Sequence, residues 1–234
     1  RVARSLRKFA DICSSAAPVH PHTDSVRFLN ELPPKLDLRG TGFGDGDALA
    51  LAQALPKGDI LEAVDLGENS RLSNEAASRL LEAIAGQHKG SLKSLRLDRC
   101  CSLGKPTIEM CTKLLKYSIV NLEVLDLSGM TIGMREYKGL GRAIAYHKKI
   151  SDVRLVETGL GKIDCRDVVR SIISNRSLRN LDLGWNSLNS EVFEILGRGV
   201  VDHKTLRSIG LANTGVCADS HDGRSPILAF MELL

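Results

Sequence analysis

The chain has 234 residues, 43% of them hydrophobic, with 32 basic against 28 acidic side chains and a net charge of +4. That length supports a substantial core, and the mild, interspersed charge excludes the clustered basic face that nucleic-acid binding needs. No apolar run reaches the roughly 20 residues that span a bilayer, and no signal-peptide core is present, so membrane insertion is not expected.

The first ten residues hold Arg1, Arg4, Arg7 and Lys8 with no acid, a composition shared with mitochondrial targeting peptides. Their periodicity instead predicts an amphipathic helix over 1–16, with Val2, Leu6, Phe9 and Cys13 turned inward. Lacking an initiator Met and stopping inside a helical pattern at Leu234, the chain reads as a processed product or a fragment. Pro18 and Pro21 break the first helix. A second, short helix comes next, capped by Thr23 or Asp24, carrying Val26, Phe28, Leu29 and Leu32, and stopped by Pro33–Pro34. Residues 1–34 are thus expected to cap the outer apolar edge of the strand that begins at Lys35.

From Lys35 onward the chain is periodic. Leu178, Leu181, Leu183, Asn186 and Leu188 spell L-x-x-L-x-L-x-x-N-x-L, and a helical stretch with Val192, Leu196 and Val200 comes after them. The central leucine recurs at Leu38, Leu66, Leu97, Leu127, Leu155, Leu183 and Leu211, in steps of 28, 31, 30, 28, 28 and 28 residues. Seven units therefore occupy residues 35–217, a repeat array rather than a globule. Repeats 2 and 3 carry one extra residue before Leu72 and Leu103, yet the spacing on to Leu80 and Cys111 keeps their helices in phase. In the seventh unit Arg224 falls where an apolar residue is due. Residues 218–234 read as a widened loop and a late helix started by Ser225–Pro226.

Six cysteines (13, 100, 101, 111, 165 and 217) form no CxxC or finger spacing. Cys100 occupies the Asn position of its repeat and Cys111 a core helix column, both buried roles, which points to a reduced, intracellular and most simply cytoplasmic protein. His147, Asn175 and His203 recur at 28-residue steps where a helix gives way to the next strand. They read as turn residues, with Asn suited to a left-handed closing turn, and not as metal ligands. No metal or other cofactor is expected.

The 28-residue period, and the LxxLxLxxNxL segments each followed by a full helix, resemble the ribonuclease-inhibitor-like class of leucine-rich repeats. The resemblance covers residues 35–217. It implies an α/β horseshoe solenoid of about seven strand–helix repeats, with a parallel sheet lining the concave face and helices on the convex face. Cousins in that class include ribonuclease inhibitor, the Ran GTPase-activating protein, tropomodulin, nucleotide-binding immune receptors and a protein phosphatase-1 regulatory subunit.

Two columns are candidates for partner contact. Strand side chains alternate with period two, so the residue between the paired core leucines points to the concave face. That column reads Asp37, Asp65, Arg96, Asp126, Arg154, Asp182 and Gly210, alternating in sign from Asp65 to Asp182. It describes either a self-neutralised ladder or a mixed-charge docking strip. Two positions past the second leucine stand Gly40, Glu68, Arg99, Gly129, Glu157, Trp185 and Asn213. Trp185, the single tryptophan, is expected to be exposed there as an interface anchor, with Arg154, Glu157 and Asp182 as its rim.

Other motifs fall short. GTGFGDGD over Gly40–Asp47 matches neither phosphate-loop pattern and is in phase as an ordinary strand-to-helix turn. DSVRF over Asp24–Phe28 faintly resembles a V-x-F phosphatase docking peptide but sits in a helical setting. The sequon Asn175–Ser177 means little without secretion, and no GxSxG or HExxH occurs. The best reading is a non-enzymatic scaffold that docks a protein partner. The alternatives are an enzyme regulator of the GTPase-activating or phosphatase-regulatory kind, and a structural subunit of a large cytoskeletal, ciliary or organellar assembly.

Overall fold

A computed structural model describes residues 2–15, 22–88, 90–162 and 165–215. Among them strand and helix alternate: β1 (Lys35–Asp37), α3 (Asp45–Ala54), β2 (Ala63–Asp65), α4 (Asn74–His88), β3 (Ser94–Arg96), α5 (Lys105–Tyr117), β4 (Val124–Asp126), α6 (Met134–Tyr146), β5 (Asp152–Arg154), α7 (Arg166–Ile173), β6 (Asn180–Asp182), α8 (Ser190–Val201) and β7 (Ser208–Gly210). Two helices, α1 (Val2–Ser15) and α2 (Thr23–Glu31), come first. The seven strands form one parallel sheet in sequence order, β1 to β7. Each repeat therefore adds one strand and one helix to its predecessor, as the leucine period requires.

Register follows from the same leucines. Leu36, Val64, Leu95, Leu125, Val153, Leu181 and Ile209 occupy one rung, and Asp37, Asp65, Arg96, Asp126, Arg154, Asp182 and Gly210 the next. The second leucines, Leu38 to Leu183, are buried in one continuous core with the helix column Leu51, Leu80, Cys111, Leu140, Val168 and Leu196. Burial in that core pushes the Cys111 thiol up to about 12, so it stays protonated and packs as an apolar group. Leu72 and Leu103 are buried too, so the extra residues of repeats 2 and 3 are absorbed in the loops ahead of them.

Buried backbone groups at the loop corners are satisfied repeat by repeat by short polar side chains. The Asn186 amide donates to the carbonyls of Leu155, Leu183 and Gly184 at 2.7, 3.0 and 3.2 Å, and its oxygen accepts from the N–H groups of Thr158 and Leu160. Asn69 does the same among Leu38, Leu66, Gly67 and Phe43, and Cys100 donates to the Leu66 carbonyl at 3.1 Å. A short polar side chain at this position tethers two adjacent loops that would otherwise bury unpaired backbone groups.

At the opposite end of each repeat, the His147 Nε2 donates to the Ile119 carbonyl at 2.8 Å while its Nδ1 accepts from the Ile150 N–H at 3.1 Å. His203 repeats this against Asn175 and Leu206. The Asn175 amide donates to Ile144 and His147 and its oxygen accepts from Leu178. The turn reading of these residues holds, with one correction. None of the three adopts positive φ, because side-chain hydrogen bonds, not a left-handed backbone, close these turns. Asn175 is buried with its amide committed, which removes the sequon from consideration.

At the N-terminal end α1 packs on α2 and α3, burying Phe9 and Cys13 while Leu6 is half-buried. A second correction concerns α2. Its N-cap is His22, which makes no side-chain capping bond, and Thr23 and Asp24 lie in the first turn. The His22 ring packs edge-on against Phe43 at 5.4 Å and its Nε2 faces the Thr41 carbonyl at 3.3 Å, so tertiary contact fixes the helix start. Phe28 is buried on α2, which withdraws V-x-F from any docking role. Pro18, His20, Pro21, Cys217, Arg224 and the Ser225–Pro226 start lie outside the described residues, as does the side chain of Val2.

Candidate functional site

The sheet face away from the helices carries side chains from three strand columns, spaced by two residues, and from the left-handed turn just beyond. Seven of the eight residues singled out from sequence, Arg96, Arg99, Asp126, Arg154, Glu157, Asp182 and Trp185, line one open cleft of about 590 Å³. The eighth, Asp65, sits beside it under Arg39.

Arg39 was not singled out, and it organises half of this face. Its Nε lies 3.2 Å from Asp65, its Nη1 2.8 Å from Glu68, and its Nη2 donates to Asp98. Gly67 makes this possible, since a Cβ there would come within 2.7 Å of the Arg39 guanidinium. Those carboxylates hold Arg39 firmly charged, with Asp98 the largest influence. The omission has a plain cause. Period two places Arg39 and Asp98 on the same face as Asp37 and Arg96, in the column one past the second leucine, which lies between the two columns that were followed.

Pairing along the predicted alternating ladder is sparse. Arg154 reaches Asp126 at 4.0 Å but bonds more closely to Asp152 on its own strand, at 3.1 Å. Among the described residues Arg96 and Asp182 make no ion pair within 4.0 Å. The Asp182 carboxylate accepts from the Gly184 N–H at 3.0 Å and leans over Gly210, where no Cβ stands in its way. Long arginine side chains select the nearest carboxylate in any column, so the ladder's alternation sets the charge balance more than the contacts. Burial raises the Asp126 carboxyl above its ordinary range.

The second column has a property its exposure did not announce. Gly40, Glu68, Arg99, Gly129, Glu157, Trp185 and Asn213 all have positive φ, between 53° and 75°. The N–H at this position donates one repeat onward, from Glu68 to Asp98, Arg99 to Ser128, Glu157 to Gly184 and Trp185 to Ala212, at 2.7–3.0 Å. Each left-handed residue thus extends the parallel ladder by one bond beyond the strand, which offsets a conformational cost of about 1 kcal/mol for a residue with a Cβ. Glycine at two positions and asparagine at a third were the available signal. The turn lifts its side chain clear of the core, and Trp185 is 61% exposed. Its indole borders both the cleft on the sheet and a second cavity of about 800 Å³ among the loops, lined also by Cys101, Thr131, Gly161 and Ser187.

Two human proteins share sequence with this architecture. NACHT, LRR and PYD domains-containing protein 13 is 28% identical over 146 residues, 62% of this chain, and protein 5 of the same name is 29% identical over 153 residues, 64% of this chain. The chain resembles the ribonuclease-inhibitor-like leucine-rich-repeat family, and its fold is an α/β leucine-rich-repeat solenoid. It spans only 14% and 12% of the length of those two relatives. No family model matches the chain. Among solved structures, the tropomodulin C-terminal domain of Caenorhabditis elegans matches at a TM-score of 0.45 and 14% identity, covering 76% of this chain and 86% of that one. Among the described residues of this leucine-rich-repeat solenoid, no helix is long and apolar enough to cross a membrane.

Proposed function

We propose that the chain is a non-enzymatic interaction scaffold whose concave strand face and ascending loops dock a protein partner within a larger complex. In this reading residues 1–34 cap the array, 35–217 form the repeats, and 218–234 are a C-terminal cap or a truncated repeat. The observation that carries it is Trp185, exposed on a left-handed turn at the lip of an open cleft that also gathers Arg96, Arg99, Asp126, Arg154, Glu157 and Asp182. A large aromatic held in a fixed backbone and left in water supplies binding energy that the free protein does not use. The family supports the same reading, since a repeat surface is extended and modular.

Affinity capture from native lysate tests it, comparing the intact chain with Trp185→Ala/Glu157→Lys, with circular dichroism and melting curves to establish that the variant folds. Selective loss of captured proteins is expected. Undiminished capture by a folded variant would move binding to the convex helices or the caps.

A further inference from the structure

The concave face is unevenly charged along its length. Across β1–β3, the strand columns and the left-handed turns hold Lys35, Arg39, Arg96 and Arg99 against Asp37, Asp65, Glu68 and Asp98, four of each sign. Across β4–β7 the same columns hold Arg154 alone against Asp126, Asp152, Glu157 and Asp182, one against four. Arg154 is engaged by Asp152 and Asp126. Among the described residues Glu157 has no ion pair, and Asp182 accepts a hydrogen bond from the Gly184 N–H and meets Arg154 only at longer range. These two carboxylates and Trp185 line the same cleft. Arg179 and Arg207 are exposed at the far rim. Three residues of strand, roughly 10 Å, separate Arg179 from Asp182, beyond the Debye length of about 8 Å at physiological salt. They leave the charge at the lip standing.

We infer that the Trp185 lip takes a lysine or arginine side chain from an extended basic segment of a partner protein, the cation lying on the indole face and neutralised by Glu157 and Asp182. The inference rests on the docking reading above and names the chemistry of its occupant. An exposed indole flanked by carboxylates attracts a cation through the ring quadrupole and the two charges together. An acidic segment meets uncompensated like charge, and an apolar one strips water from Glu157 and Asp182 without pairing them. Among the described residues no group of three or more His, Cys, Asp or Glu side chains is placed to hold a metal ion. The cleft is open along the sheet, which suits a chain segment better than an enclosed small molecule.

Trp185 is the chain's single tryptophan, so its emission reports on the lip directly. The full chain is titrated with deca-lysine, and with deca-glutamate as the probe of opposite charge. A saturable change in emission is expected with deca-lysine alone. Glu157→Gln/Asp182→Asn should weaken that binding by about tenfold, Arg154→Gln should tighten it, and Asp37→Asn on the balanced half should leave it unchanged. Trp185→Leu, followed with fluorescein-labelled deca-lysine, should weaken it roughly threefold to thirtyfold. No response to deca-lysine, an equal response to deca-glutamate, or deca-lysine binding indifferent to Glu157→Gln/Asp182→Asn overturns the inference. The two readings fail separately. Loss of captured partners in Trp185→Ala/Glu157→Lys without any deca-lysine response keeps the docking face and rejects its basic occupant. A deca-lysine response as described, with capture unaffected by that variant, rejects the docking face.

Discussion

The two halves of the concave face are built from the same columns and reach opposite states. Across β1–β3 one guanidinium, Arg39, bridges Asp65, Glu68 and Asp98, and its side chain is only 30% exposed. Across β4–β7 the corresponding central cation, Arg154, is 41% exposed and bonds chiefly within its own strand, while among the described residues the side chains of Trp185 and Glu157 have no hydrogen-bond or ion-pair partner at the lip. One half gathers three carboxylates around a single guanidinium, and the other leaves an indole and a carboxylate in solvent, where the docking proposal puts the second molecule. A repeat array permits this division because packing runs between neighbouring repeats and the longest ion pair, Arg39 to Asp98, spans only two steps, so a change of charge in one repeat leaves distant repeats intact.

The comparison breaks or sharpens under substitution. Arg39→Ala leaves Asp65 and Asp98 nearly buried and uncompensated, and should cost about 3 kcal/mol in urea denaturation. Arg154→Ala in the more exposed setting should cost about 1 kcal/mol or less. Equal losses would erase the distinction between the halves. The interior, by contrast, should not distinguish them. Asn69→Ala and Asn186→Ala each strand several buried backbone groups, and both should cost about 2 kcal/mol. At the lip, Trp185→Gly removes a side chain that is mostly in water and relieves positive φ. Stability should therefore hold or rise by up to about 1 kcal/mol, part of the gain being offset by unfolded-chain entropy, while partner capture falls. A large loss of stability would mean that the indole packs on the fold after all.

The smallest effect is a pH slope in the balanced half. His88 is buried, its Nδ1 accepts weakly from Ile60 at 3.4 Å, and among the described residues its Nε2 has no hydrogen-bond partner. Burial lowers its pKa from the ordinary 6.5. The unfolded chain then binds the proton more readily than the folded one, so stability is full above 6.5 and declines as pH falls below it. His88→Gln should flatten that part of the melting-temperature profile, and an unchanged slope would assign it to another group.

Much of this was legible in the sequence, for identifiable reasons. The leucine column fixed strand order and register because a parallel repeat can bury those leucines in only one phase. Trp185 was readable as exposed because it falls between two buried positions. The left-handed column was not read from Gly40, Gly129 and Asn213, since Glu68, Arg99, Glu157 and Trp185 mask the preference that the glycines reveal. Arg39 was missed because its column was not followed, although period two places it on the concave face; its choice of partners, set by guanidinium reach across three repeats, is what no linear spacing encodes. His88 escaped the turn column because the 59 residues to His147 are not a multiple of 28.

The claim that the β4–β7 lip is an open, negatively charged docking edge is tested most directly by charge-selective quenching of Trp185 at low salt. Caesium and iodide are compared, each normalised to free N-acetyltryptophanamide. Caesium should quench the protein more efficiently than iodide on that scale, and Glu157→Gln/Asp182→Asn should bring the two together. Iodide matching or exceeding caesium in the intact chain, or neither ion reaching the indole, would contradict the account.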